Sequence, residues 1–127
     1  MRRAVSLIAI RDRALLLVRD DDNITWTLPG GKPDGNEADL ECLSREIKEE
    51  LAVTSLGDIS FYKSFTAISP HKGDLITASC YFGNLYEEPK PSSEITACEW
   101  VRDFNNRTIS NVTRSVIDSL TREGYLG

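Results

Sequence analysis

"LPGGKPDGNEADLECLSREIKEELAV", Leu28 to Val53, is the stretch that organises the reading of this chain. It joins a proline and a glycine pair to a charged run holding seven acidic residues, three of them in "REIKEE". Pro29, Gly30 and Gly31 break any regular element. Beyond them a helix is expected from about Asn36 to Leu51, with Asn36 as N-cap and Asp39 in the first turn, where acidic residues favour the dipole. Leu40, Leu43, Ile47 and Leu51 recur at spacings of three and four, an apolar stripe that should face a sheet. Glu46, Glu49 and Glu50 stand at i, i+3 and i+4, so they share a face that borders this stripe. Like charges so placed cost a few tenths of a kcal/mol when exposed and more when partly buried. Arg45, four residues before Glu49, offsets part of this. A divalent cation such as Mg²⁺ would offset the rest, since it prefers hard carboxylate oxygens. Taken alone, "REIKEE" also reads as a solvated helix face. The glycine pair after the strand-like "WTL" argues for more, because it leaves backbone groups accessible beside the acids.

The whole chain has 127 residues, which fits one domain, 1–127, with 40% hydrophobic residues to build its core. Its net charge of -5 argues against a nucleic-acid polymer as partner, because that affinity rests on Lys and Arg neutralising phosphates. A small phosphorylated ligand stays compatible if a cation mediates the contact. Cys42, Cys80 and Cys98 are odd in number and widely spaced, which fits reduced thiols in the cytoplasm better than disulfides or zinc. "MRRAVSLIAI" is interrupted by Arg11, Asp12 and Arg13 before it resembles a signal peptide, and no segment is long enough to span a membrane. The glycosylation-like "NRT" and "NVT" at Asn106 and Asn111 are read as chance matches.

"AVSLIAI" (Ala4–Ile10) and "ALLLVR" (Ala14–Arg19) read as two core strands joined by a tight turn, with "DDDN" (Asp20–Asn23) an exposed loop. Ile59–Ile68 and Leu75–Tyr86 read as strands around "SPHKGD", and Ala97–Val101 as a short strand after the loop "PKPSS". Ser110–Gly124 reads as a second helix with Val112, Val116, Ile117 and Leu120 on one side. The order predicts an α/β (α+β) fold, a mixed β-sheet sandwiched between α-helices.

The central stretch resembles the signature of the Nudix hydrolases. Gly31, then five residues on Glu37, then after seven residues Arg45-Glu46-Ile47, Lys48, Glu49-Glu50, Leu51, Ala52 and Val53 follow its pattern. Ala52 stands where the family has a glycine, a change that costs ~1 kcal/mol if the position is left-handed. The preceding "WTLPGG" and the order of elements also resemble the family. The resemblance implies the Nudix fold and hydrolysis of a nucleoside diphosphate linked to another group, with Mg²⁺ or Mn²⁺. By motif position, Glu46, Glu49 and Glu50 would bind metal or, for one of them, activate water. The Gly30 carbonyl would add a ligand, Arg45 would orient a glutamate and Glu37 would hold the loop, with Gly31 and Lys32 in the same turn. In MutT-like members a further acid completes the site. Glu94 takes that place by its spacing to Trp100, in a "PKPSSE" loop that Pro89 and Pro91 stiffen and that would close over the pyrophosphate, whereas Glu99 reads as a strand-surface charge. Asn111 resembles a purine-reading residue of MutT-like enzymes and equally suits a helix cap.

Trp26 and Trp100 read as scaffold, Cys42 as a packed residue and His71 as an exposed loop histidine, with Lys72 beside it. The expected partner is a small nucleotide, a modified nucleoside triphosphate ahead of ADP-ribose, nucleotide sugars and dinucleoside polyphosphates; homodimerisation stays open. The alternative from another class is a catalytically inactive Nudix-fold module that senses a nucleotide, a class that tends to lose the acid set intact here.

Overall fold

A computed structural model describes residues 2–20, 24–69 and 73–127. Strand β1 (Arg2–Ile8) lies between β5 (Gly30–Gly31) and β7 (Leu75–Leu85), and β6 (Leu56–Ile68) completes a four-stranded sheet in the order β5-β1-β7-β6. The β1–β7 pair is parallel and the others are antiparallel, so the sheet is mixed. A second sheet holds β2 (Ile10–Arg11), β3 (Ala14–Asp20) and β8 (Ile95–Val101) in the order β2-β3-β8. Short strands β4 (Thr25–Trp26) and β9 (Thr108–Ile109) pair in parallel.

The first apolar run does not form one strand. It breaks at Ala9, and only Ile10–Arg11 pairs with β3, through a turn in which Asp12 and Arg13 both take positive φ. The break lets one run serve two sheets. Both β1 and β3 are buried on each face, which is why they read as continuous apolar runs rather than alternating ones. Val5, Leu7, Leu16 and Val18 pack with Leu43, Ile47 and Leu51 of helix α1 (Asp39–Leu51). Ile8, Leu15 and Leu17 pack with Val116, Ile117 and Leu120 of helix α2 (Asn111–Arg122). The strands therefore lie between two helices, as expected. No helix among the described residues is long and apolar enough to cross a membrane.

Three local readings change. The N-cap of α1 is Ala38, not Asn36, because residues 34–37 form a turn of their own: Glu37 N–H donates to the Asp34 carbonyl at 2.9 Å, and Asp34 N–H to the Glu37 carboxylate at 3.0 Å. Leu40 is 48% exposed and leaves the stripe, while Cys42 is fully buried and joins it. The cap of α2 is Ser110, whose hydroxyl accepts from Thr113 N–H at 3.3 Å, so Asn111 is not the capping residue. Tiny strands such as β5 and β9 carry too few residues to show periodicity. His71, Lys72 and all of "DDDN" except Asp20 lie outside the described residues.

Candidate active site

Gly30 and Gly31 pair with Ser6 and Val5 of β1. Gly30 has φ of 144°, and a Cβ there would overlap the Val5 carbonyl. At Gly31 a Cβ would overlap the Glu46 carboxylate. The glycine pair thus lets a loop backbone press against both β1 and the acidic face of α1. Its N–H from Gly30 donates to Glu50 Oε1 at 2.9 Å, and the Gly31 carbonyl faces Cys42 Sγ at 3.7 Å.

Arg45 ties this loop to the helix. Its Nε and Nη2 grip both oxygens of Glu37 at 2.9 Å, Nη1 donates to Glu46 Oε1 at 2.9 Å, and Nη2 also reaches the Lys32 carbonyl at 3.1 Å. Nη1 lies 3.4 Å from both oxygens of Glu49. Planar, five-donor guanidinium chemistry suits this role; a lysine could not span it. The grip holds the Glu37 carboxyl down at about 2.

Glu50 is the surprise in the acidic set. It is 6% exposed, inside the buried stripe rather than beside it. Burial pushes its carboxyl up to about 8, the Gly30 N–H pulls it back, and Glu46, Glu94 and Glu49 push it further up. Burial also raises Glu46, with Arg45 opposing and Glu49 and Glu94 adding repulsion. Glu94 is thereby near two of the helix glutamates; the Ser93 hydroxyl donates to it at 2.6 Å and keeps its carboxyl low. Glu99 instead forms an ion pair with Arg107. The loop that carries Glu94 is anchored rather than hanging free: Lys90 N–H donates to the Leu51 carbonyl and Ser92 N–H to the Glu50 carbonyl, each at 2.9 Å. These bonds use the last carbonyls of α1, which a helix end leaves unpaired. Ala52 follows in the left-handed conformation, φ 56° and ψ 33°, where the family resemblance places a glycine.

Among the described residues no three His, Cys, Asp or Glu side chains already converge on one point, because Arg45 and Gly30 N–H hold Glu46 and Glu50. The donor set nevertheless fits a hard divalent cation: carboxylate oxygens only, one of them buried at a cost that either a proton or a cation relieves.

On the other side of Gly30–Gly31 lies a pocket of about 220 Å³, lined among others by Ser6, Leu28, Ile68, Ser69, Ile76 and Asn111. No charged or aromatic side chain lines it among the described residues. Asn111 donates its side-chain amide to the Ile68 carbonyl at 2.9 Å, which fixes the amide at the rim. Ser6 and Ser69 were not singled out from the sequence, and no local signal marks them; the β1–β5 register and the Ser69 N–H bond to the Asp74 carbonyl bring them here. Trp26 is buried with Arg19 and Arg107 over its ring, and Trp100 is half-buried under Arg11 at 4.3 Å, so both serve as scaffold.

Comparison with known proteins matches these features. The NUDIX domain profile matches residues 1–102. The m7GpppN-mRNA hydrolase of Saccharomyces cerevisiae is 30% identical over 115 residues, covering 85% of this chain and 12% of that protein. The chain thus spans about an eighth of the length of the curated relatives it matches. The MutT NUDIX hydrolase structure from Burkholderia pseudomallei superposes with a TM-score of 0.79 at 26% identity, over 92% of this chain and 95% of that one. The MutT protein of Methanosarcina mazei gives 0.74 at 25% identity, over 96% and 94%. With four fifths of its length under the family profile and the glycine loop set against the acidic helix, the chain belongs to the Nudix family.

Proposed function

We propose that this chain, acting as one domain in the cytoplasm, is a divalent-metal-dependent pyrophosphohydrolase for a nucleoside diphosphate derivative, with a nucleoside triphosphate favoured as substrate. The observation that carries the reading is Glu50, a carboxyl group only 6% exposed that sits behind the glycine loop and accepts from Gly30 N–H at 2.9 Å. Burying such a group without a counter-charge serves no packing purpose.

Glu46, Glu49, Glu50 and Glu94 would hold Mg²⁺ or Mn²⁺, with the Gly30 carbonyl as a further ligand. When bound, the cation supplies neutralisation of the pyrophosphate and a lower pKa for water. The chain's own residues do the rest. Arg45 keeps Glu46 aimed at the loop while Glu37 keeps Arg45 aimed at Glu46. Water attacks one phosphorus, the bridging P–O bond breaks, and the water's proton passes to a carboxylate, for which Glu94 and Glu49, both exposed, are the candidates. The apolar lining that the described residues give the pocket behind Gly30–Gly31 suits a nucleobase, with Asn111 at its rim.

A panel of nucleoside triphosphates, nucleotide sugars, ADP-ribose and dinucleoside polyphosphates, read by phosphate release after pyrophosphatase or phosphatase treatment, tests this. Mg²⁺ or Mn²⁺ should support turnover and chelation should abolish it. Full activity in excess chelator would sink metal dependence. Nucleotide binding without turnover of any member would favour the sensor module instead.

A further inference from the structure

The pocket behind Gly30–Gly31 runs lengthwise along β1 and β7, and unspent side-chain oxygens lie at both of its ends. Ser6 stands at one end, where β1 pairs with Gly30 on one side and with Cys80 of β7 on the other. Ile68, Ser69 and Asn111 stand at the other end, where Ile68 pairs with Leu75 of the same strand. At the ordinary strand rise Cys80 and Leu75 are about 17 Å apart. Ala4, Ala78 and Ile76 line the stretch between them. At the Ser69 end the backbone is engaged. Ser69 N–H donates to the Asp74 carbonyl at 2.7 Å, and the Ser69 carbonyl accepts from Gly73 N–H at 2.9 Å. The Ile68 carbonyl accepts from the Asn111 side-chain amide at 2.9 Å. Since a carbonyl only accepts, the amide nitrogen must face Ile68, which leaves Asn111 Oδ1 without a partner among the described residues. Ser110 and Thr113 use their hydroxyls on each other and on Leu28 N–H. Ser69 differs: it is 5% exposed, yet its hydroxyl has no hydrogen-bond partner among the described residues. Buried hydroxyls are ordinarily bonded, so this one awaits something.

Two unspent oxygens at one end of a pocket set its polarity. Asn111 Oδ1 can only accept, and Ser69 Oγ accepts readily. An exocyclic amine offers one N–H to each; a carbonyl edge leaves Oδ1 unpaired, and a bare ring edge serves neither. We propose that Ser69 is a specificity-determining residue which, with Asn111 Oδ1, binds the exocyclic amine of a purine, the base edge lying at the Ile68 end and the sugar toward Ser6. The near end closes on Gly30, whose N–H is bonded to Glu50, so this orientation points the sugar's phosphates at the acids. A two-ring base also reaches further along a pocket of this length than a one-ring base. The proposal rests on the pyrophosphohydrolase reading and narrows its substrate to an amino-purine nucleotide. Discrimination follows from the cost of leaving buried polar groups unpaired: a base without the amine strands both oxygens.

Adenosine and purine riboside, which lacks only the amine, separate this proposal from the reading beneath it. Neither carries phosphate, so both probe the pocket in metal-free protein. Titrated into the full chain in chelator and followed by backbone amide shifts at Ile68 and Asn111, adenosine should bind about five- to tenfold more tightly. Ser69→Ala should bring that ratio close to one, with the melting temperature unchanged or raised, because an unpartnered hydroxyl is removed. Ser6→Ala, at the other end, should leave the ratio as it is. Equal or absent binding of the two nucleosides to wild-type protein overturns the proposal, as does a ratio that survives Ser69→Ala. A ratio lost in Ser6→Ala instead would turn the nucleoside end for end and overturn it too. With Mg²⁺, the kcat/KM ratio of the two nucleosides' triphosphates should show the same preference and the same collapse in Ser69→Ala. If neither triphosphate is turned over, the hydrolase reading fails while the nucleoside titration still decides the pocket. If both are turned over equally and the nucleosides bind equally, the hydrolase reading stands and the role of Ser69 falls.

Discussion

Helices α1 and α2 cover opposite faces of the same strands, yet only α2 has a side-chain N-cap and a buried face free of charge. In α2, Ser110 caps the first turn, Thr113 Oγ1 accepts from Leu28 N–H at 3.2 Å, and Val116, Ile117 and Leu120 are buried without a charge among them. In α1 the cap is Ala38, which offers no side-chain acceptor; only its own N–H is satisfied, by Glu41 at 3.0 Å. A carboxylate, Glu50, sits inside the buried face, and the helix ends on a left-handed alanine. The unfavourable features of α1 lie beside the acids proposed to hold a cation, and stability comes from elsewhere. The contrast is what a functional helix set beside a structural one should look like.

The largest expected effect follows from Glu50. Glu50→Gln keeps size and lets the side-chain oxygen still accept from Gly30 N–H, but removes the anion. We expect kcat to fall at least ~10²-fold with no loss of thermal stability in chelator. The pH dependence gives the sign. The folded carboxyl sits at about 8 against an ordinary 4.5, so the folded state holds its proton more tightly than the unfolded one. That stability is present below pH 4.5 and lost as pH rises through 8. In metal-free protein the variant should therefore gain on the wild type across this window, read by melting temperature. Near-normal turnover, or a variant that loses stability as pH rises, would return Glu50 to an ordinary buried side chain and make α1 resemble α2.

Next comes the pair Glu94 and Glu99. Glu94→Gln should lower kcat roughly 10- to 10⁴-fold, and Glu99→Gln, which only releases Arg107, should change it little. Loss of the acidic limb of the pH–rate profile in Glu94→Gln would mark a general base; a retained limb with weaker Mg²⁺ affinity would mark a ligand. A damaging Glu99→Gln beside a silent Glu94→Gln would show that the site lies on the strand, not the loop.

The glutamates and arginine of α1 were legible because helix spacing alone gathers them, and the two helices because their apolar periodicity is strong. The depth of Glu50 was not, since a single helix cannot reveal that Gly30 N–H waits behind it. Nor was the split of the first strand at Ala9, because a continuous apolar run reads the same whether it serves one sheet or two. The loop before β8, expected to close over the substrate, is fixed by backbone bonds to α1, and backbone acceptors leave no mark on composition. Ile68 and Asn111 are 43 residues apart and meet only in the folded chain, through one amide-to-carbonyl bond.

Smaller effects test the two helix ends. Ser110→Ala should cost about 1 kcal/mol, because the hydroxyl satisfies Thr113 N–H and also donates to Thr113 Oγ1 at 2.8 Å. For a chain of this size that is a fall of a few degrees in melting temperature. A silent substitution would mean that α2 owes its order to packing alone.

The smallest change is expected at Ala52, and its sign is opposite. A non-glycine residue in the left-handed region costs roughly 1–2 kcal/mol, because Cβ crowds the following carbonyl. Ala52 is held there by its N–H bond to the Lys48 carbonyl at 3.1 Å and by the chain's immediate turn toward Val53, which is buried. Glycine relieves that crowding but brings about 0.5–1 kcal/mol of extra unfolded-state entropy. The side chain of Ala52 is exposed, so no packing is lost. Ala52→Gly should therefore stabilise the protein by about 0.5–1 kcal/mol in denaturant titration, with the slope of the transition unchanged. Turnover should not move, since Glu50 and Leu51 carbonyls keep their partners in the loop. A destabilised variant would show that the left-handed turn is not strained by alanine, and that the helix pays for its acids only through Glu50.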